Sequence, residues 1–309
     1  MSELRINNIT DRSGSCGPII AGVSTVSSTS HMVMPSGPTE MRKSPSVLDL
    51  SGNQQISSSG GRGRGITGGG FVSPSSQNVM DFIEIATSGN AQDFGDLTVI
   101  LRNIATCASS TRGIFASGQS PSVSDVICFT TISSSGGAND FGNLRTAMTN
   151  SNDGVLSDNT RGIILYGGPT SLSQPTAQGT LDFITIPTTG NSSIFGELSV
   201  ARRHAATMAS PTRGVFATGK EDGGSTYLKV IDFVIIQTQG TAVTFGEIST
   251  NGREQSVGAG NKTRGLIAGG LGSGPTPFQS IDFITLATEG NGQDFGDLAA
   301  NRFGMSSMS

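Results

Sequence analysis

Tryptophan is absent from this 309-residue chain, while tyrosine and histidine occur twice each and cysteine three times. Each scarcity removes a class of function. Cys16, Cys107 and Cys128 are odd in number and irregularly placed, so they set up neither a disulfide framework nor a zinc site. They read as buried or incidental thiols of a protein made in a reducing cytoplasm. His31 and His204 stand alone, and no GxSxG elbow leads into a helix, which leaves no serine-hydrolase constellation. Charge is scarce too. With 19 Lys and Arg against 23 Asp and Glu, a net −4 gives no electrostatic case for binding nucleic acid or an anionic membrane surface. No run of 18 apolar residues occurs, so no membrane helix is expected. The opening MSELRINNIT carries charges where the apolar core of a signal peptide would sit. No cofactor or metal is expected from this inventory.

Glycine, by contrast, is plentiful at 44 residues, and much of it falls in a repeat. TRGIFASG, Thr111 to Gly118, returns as GRGITGGG at Gly63, TRGIILYGG at Thr160, TRGVFATG at Thr212 and TRGLIAGG at Thr263. The arginines Arg64, Arg112, Arg161, Arg213 and Arg264 are 48, 49, 52 and 51 residues apart. One glycine-bounded apolar strand in every 50 or so residues is the mark of a propeller, where each repeat makes one small antiparallel sheet.

A second anchor fixes the register. Phe82, Phe129, Phe183, Phe233 and Phe283 are each followed 12 residues later by Phe94, Phe141, Phe195, Phe245 and Phe295, and each of the latter precedes a glycine. Ten of the 15 phenylalanines thus belong to a regular lattice, which is expected to be core packed between neighbouring blades. In the second unit RGIFASG reads as a strand, VICFTTI as an alternating strand and NDFGNL as a short edge strand. The chain then runs to a small-residue strand before the next ThrArgGly. The tail RFGMSSMS, 302–309, resembles RRHAATMAS at 202–210, so it is expected to complete the first blade and close the ring.

The fold class expected is therefore all-β: a five-bladed, kelch-like propeller over residues 63–309, with repeats starting near 63, 111, 160, 212 and 263. Residues 1–62 are rich in Ser, Thr, Gly and Pro with short apolar islands and no 3.6-residue period. They are expected to be an extended arm that gains order on a partner, with Ile19, Ile20, Val23, Met32, Val33 and Met34 as docking residues.

A strand ending in GlyGly, then a strand with an aromatic, then leucine and arginine on a 50-residue period resembles the kelch repeat, with Phe where kelch usually has Trp. RGIFASG with IDFITLATEGNGQDFGDL resembles more closely the repetitive virion structural proteins of tailed bacteriophages, notably those of cyanobacteria. The leader ITDRSGSCGPIIAGVSTVSSTSHMVMPSGPT is similar to leaders of that group. The resemblance implies a virion component, assembled in the host cytoplasm, present in multiple copies and contacting other virion proteins. The second unit departs from the pattern, with Cys128 where the others have Asp81, Asp182, Asp232 and Asp282, so no ring of identical acidic sites is expected.

Catalysis is expected to be absent. Neither the Asp-box of sialidase propellers nor a copper-tyrosyl site can be assembled from Tyr166 and Tyr227 alone. Asp96, Glu197, Glu247 and Asp297 recur after PheGly, but at one per blade they are too far apart for paired acid and base work. GRGRGITGGG, 61–70, lacks the GlyLys[Ser/Thr] ending of a phosphate loop and reads as the first repeat copy. The repeated arginines are expected to pair with a carboxylate or carbonyl of their own or the adjacent blade.

Length variation points to function. The separation from Arg to the first Phe is 18, 17, 22, 20 and 19 residues, whereas Phe to Phe is invariant. One loop per blade absorbs the variation, and equivalent propeller loops emerge on one face. The candidate partner or glycan residues there are Gln77 and Asn78, Gln119 and Ser122, Gln174 and Gln178, Lys220, Glu221 and Tyr227, and Phe278 and Gln279. Lys220 and Glu221 are expected to be exposed. The function expected is a virion structural protein with the propeller displayed as a tail, neck or fibre appendage that touches the host surface. Capsid decoration, a carbohydrate-binding adhesin and a polysaccharide-cleaving enzyme are the alternatives.

Overall fold

The computed structural model describes residues 63–148, 155–166, 178–221, 226–274 and 276–305, all within the second of the chain's two units, Ser58–Ser309. The expected docking residues Ile19, Ile20, Val23, Met32, Val33 and Met34 lie outside the described residues, as do Gln174 and the last four residues of the tail.

Five small antiparallel sheets follow one another along the described chain and form a five-bladed β-propeller. Blade 1 holds β1 (Arg64–Gly68), β4 (Val79–Glu84) and β5 (Gln92–Asp96), with a small hairpin of β2 (Phe71–Val72) and β3 (Ser75–Ser76) in its variable loop. Blade 2 holds β6 (Ala105–Ala108), β7 (Arg112–Ala116), β8 (Ser124–Thr131) and β9 (Asn139–Met148). Blade 3 holds β10 (Val155–Ser157), β11 (Arg161–Leu165), β12 (Gln178–Thr185) and β13 (Ser193–Arg202). Blade 4 holds β14 (Ala206–Ala209), β15 (Arg213–Ala217), β16 (Val230–Ile235) and β17 (Val243–Glu247). Blade 5 holds β18 (Val257–Gly260), β19 (Arg264–Ala268), β20 (Ser280–Thr285) and β21 (Gln293–Asp297). Within each sheet the strands pair in chain order.

Sequence explains the division of labour within a blade. The second strands, such as RGIIL and RGVFA, are buried on both faces, which demands the unbroken apolar run they carry. The third strands are β-branched and aromatic, the residues best fitted to a pleated, packed surface. The inner strands ATCA, VLS, ATMA and VGAG lie next to one another from blade to blade, where converging backbones favour small side chains, Leu156 and Met208 excepted. The outer strands depart from expectation. Far from being short edges, β9 and β13 each run ten residues, bending at bulges where they pair with the third strand.

The core sits between blades. Four apolar clusters each join residues of two successive blades, as when Ile114, Ile127 and Phe141 of blade 2 pack with Ile164, Ile184 and Ile186 of blade 3. The paired phenylalanines meet edge to face within every blade, with ring centroids 5.9–6.2 Å apart. Above each first phenylalanine the repeat arginine stacks at 4.4–4.6 Å. The guanidinium then reaches across the junction: Nη1 of Arg64, Arg112, Arg161 and Arg213 donates to the carbonyl of Ile132, Ile186, Ile236 and Leu286 of the following blade. The repeated arginines are thus lattice members bonded to carbonyls, as their identical placement suggested.

The glycine after the second phenylalanine has a steric reason. A Cβ on Gly95 or Gly142 would lie 2.6 Å from the backbone carbonyl of Gly136 or Gly190 in the next blade. That closeness lets Gly136 N–H donate to the Phe94 carbonyl at 2.6 Å, and Gly190 N–H to that of Phe141 at 2.7 Å. Each junction is therefore stitched by backbone as well as packed by side chains.

Blade 1 has three strands among the described residues, and the tail expected to supply a fourth is described only to Met305. Residues 302–305 form no strand there; Arg302 accepts from Gly270 N–H, in blade 5, at 3.0 Å.

Candidate functional site

Equivalent residues on one side of the propeller gather where the variable loops begin. In blades 2, 4 and 5 an isolated antiparallel bridge ties the loop root to the segment leading into the inner strand: Arg102 with Gln119, Arg203 with Lys220, and Glu254 with Leu271. The next residue in each leading segment, Asn103, His204 and Gln255, has φ between 53° and 55°. Such left-handed backbone is costly for a residue with a Cβ and persists here because it turns the chain sharply into the inner strand. Gln255 N–H donates to the His204 carbonyl at 3.1 Å, so the turns are linked from blade to blade.

Residues of the loop root differ between blades although their backbone does not. In blade 2, with the amide of buried Gln119 turned so that its oxygen faces Arg102, Arg102 Nε and Nη2 donate to it at 3.1 and 3.0 Å, and the guanidinium stacks on Phe71 of blade 1 at 4.8 Å. In blade 4 the same positions build a charged cluster. Glu254 Oε2 lies 2.8 Å from His204 Nδ1 and 3.7 Å from Arg203 Nε, and its Oε1 lies 3.8 Å from Lys220 Nζ. Lys220 stacks on the Tyr227 ring at 4.6 Å and donates to its hydroxyl at 3.3 Å. Burial alone would raise the Glu254 carboxyl, but the His204 hydrogen bond and the charges of His204, Lys220 and Arg203 outweigh it and hold the group below its ordinary value. Arg203 Nε is buried without a hydrogen-bond partner.

Several candidate residues thus have structural employment. Gln119 is buried rather than presented, because its amide satisfies Arg102. Lys220 and Glu221 are half-buried rather than exposed, Lys220 because Tyr227 and Glu254 hold it and Glu221 because its N–H closes the loop onto the Thr226 carbonyl. Gln77 and Asn78 are half-buried, their carbonyls accepting from Leu101 and Leu97 N–H. Phe278 packs beside the Arg253 guanidinium, 5.9 Å from ring to Cζ. Gln178 begins β12 opposite Arg202. Ser122 and Gln279 are exposed. Arg203, His204 and Glu254 join the cluster without having been expected there: Arg203 and His204 come from the segment leading into the inner strand of the same blade, and Glu254 from the equivalent segment of the next.

Other ionisable groups are spent on the junctions. Arg202 with Asp232, and Arg253 with Asp282, are fully buried pairs between successive blades. Asp182 accepts from Tyr166, Ser192 and Arg145 at 2.6–2.9 Å. At the departing position, burial pushes the Cys128 thiol up, and Thr98 of blade 1 bonds it. Burial pushes the Cys107 thiol up to about 12, which keeps it protonated and a poor nucleophile. Asp96, Glu197, Glu247 and Asp297 are exposed, each in a different blade, and Asn143 takes their place in blade 2. Among the described residues no three His, Cys, Asp or Glu side chains gather as a metal site. No described helix is long and apolar enough to cross a membrane. The chain matches no protein-family model and no curated protein.

Proposed function

We propose that this protein is a non-enzymatic structural component of a tailed bacteriophage particle, with the propeller displayed as a tail, neck or fibre appendage and its loop face turned outward. One observation carries the reading: uniform lattice residues support loop roots that differ from blade to blade. Gln119, Lys220 and Leu271 occupy one backbone position at the loop root, while the Arg-Phe-Phe stack within the blades is the same in all five. A scaffold held constant beneath a varied rim suits recognition by surface shape, and the resemblance to virion repeat proteins supplies the setting. The partners in this reading are other virion proteins, with the host surface as a further contact. The test is a particle preparation lacking the protein, complemented with the full chain. Incorporation on sedimentation, together with labelled protein at the tail, supports the proposal; full-length protein that stays free of particles overturns it.

A second reading has its own support. Tyr227 and Lys220 place an aromatic ring beside a cation at the loop root, the chemistry that binds an acidic glycan. Binding of anionic polysaccharide by the wild type, lost in Tyr227→Ala, would favour an adhesin over a purely structural role.

A further inference from the structure

In three blades the loop root pairs three residues in register: Arg102, Gln119 and Val123 in blade 2, Arg203, Lys220 and Tyr227 in blade 4, and Glu254, Leu271 and Pro277 in blade 5. Residues directly opposite one another on antiparallel segments turn their side chains to one face, so each set forms a row. The rows differ in what they present. In blade 2 the Arg102 donors are spent on Gln119, and in blade 5 two of the three members are apolar. Among the described residues only the row of blade 4 sets a cation opposite a cation, with an aromatic ring beside them.

Like charges directly opposite one another are destabilising, yet the backbone fixes this pair: Arg203 N–H and Lys220 N–H each donate to the other's carbonyl at 3.0 Å. One carboxylate offsets the two cations, and it satisfies neither. Glu254 lies 3.7 Å from Arg203 Nε and 3.8 Å from Lys220 Nζ, both beyond hydrogen-bond distance, while His204 takes its short contact at 2.8 Å. The Arg203 guanidinium makes no hydrogen bond among the described residues, and the Lys220 ammonium makes one, at 3.3 Å, to Tyr227.

Other arginines of similar burial are spent. Arg64, Arg112, Arg161 and Arg213 donate to carbonyls of the following blade, and Arg202 and Arg253 to aspartates. Arg203 and Lys220 therefore stand together with donors that the fold does not use, a local conflict of the kind proteins keep at functional sites. Their side chains are 20% and 19% exposed, which leaves an anion access while partial burial weakens screening by salt. An acidic saccharide combines a charged oxyacid group with an apolar C–H face, and the row offers a partner to each.

We propose that Lys220 and Arg203 grip the oxyacid group of an acidic saccharide between them, a carboxylate or a sulfate, with the Tyr227 ring as the apolar wall. This rests on the acidic-glycan reading above and adds Arg203 as the second cation of that site.

The test is titration calorimetry of the full-length protein with oligogalacturonate, dextran sulfate and neutral dextran. Binding is expected for at least one of the two polyanions and not for dextran, and the polyanion preferred names the acid. Lys220→Met and Arg203→Met each weaken that binding about tenfold or more, the loss expected for hydrogen bonds to a charged group. Lys262→Met removes an equal charge from an exposed turn at the other end of β19 and leaves binding unchanged. In the unsubstituted chain, bound polyanion slows acetylation of Lys220 but not of Lys262, a readout that requires no variant to fold. Full affinity in both methionine variants, or equal acetylation of Lys220 with and without bound polyanion, overturns the inference; loss of binding in Tyr227→Ala would still uphold the acidic-glycan reading. Equal weakening by Lys262→Met reveals attraction by diffuse charge and overturns the inference as well. Failure of the unsubstituted chain to bind either polyanion overturns both.

Discussion

Phe245 and Phe295 occupy the same place in successive blades, follow the same strand pattern and meet the same partner ring, yet one is 4% exposed and the other 50%. The repeat dictates residue type, whereas burial depends on whether another blade follows. The loop roots teach the opposite lesson, since there the backbone is constant and the side chains diverge.

Removing lattice members is the harshest way to break this comparison. Phe245→Ala is expected to cost about 3–5 kcal/mol, the range for deleting a buried aromatic, with chemical denaturation as the measurement. Phe295→Ala sharpens it: with its ring half-exposed, a loss of under about 1 kcal/mol is expected.

The buried pairs should behave next most severely, and asymmetrically. Asp282→Ala leaves the Arg253 guanidinium uncompensated in the core and is expected to cost about 3–5 kcal/mol. Replacing both partners by apolar residues of similar volume is expected to restore much of that, because neither charge then needs solvation. Equal instability of the single and double variants would show that the pair itself, and not the orphaned charge, sustains the junction.

At the loop root the effects are smaller and depend on pH. The Glu254 carboxyl is depressed in the folded state, so its stabilisation is present above the ordinary value of 4.5 and is lost as pH falls through the lower folded value. Glu254→Gln should flatten that part of the acid limb in melting curves recorded from neutral to pH 3; an unchanged limb would remove Glu254 from the account. Smallest of all, Ser122→Ala and Gln279→Ala, both exposed, are expected to change stability by less than about 0.5 kcal/mol.

The lattice was legible in the sequence because each blade solves the same packing problem with the same residues: Arg over Phe, Phe against Phe, and glycine where the next turn approaches. The candidate site was legible only as loops. Lys220 looked free because its partners, Tyr227 across the loop and Glu254 in the next blade, are brought to it by the ring and not by the local chain. The ten-residue outer strands were hidden by the small residues in SVAR and RTAM, which carry little intrinsic strand signal.

Amide hydrogen exchange on the intact chain tests the central claim, that one lattice joins the described blades. The account predicts that amides in 163–165 of β11 and 215–217 of β15, buried between blades, exchange far more slowly than that of the exposed loop residue Ser122. Exchange at the free-peptide rate in either strand would contradict it.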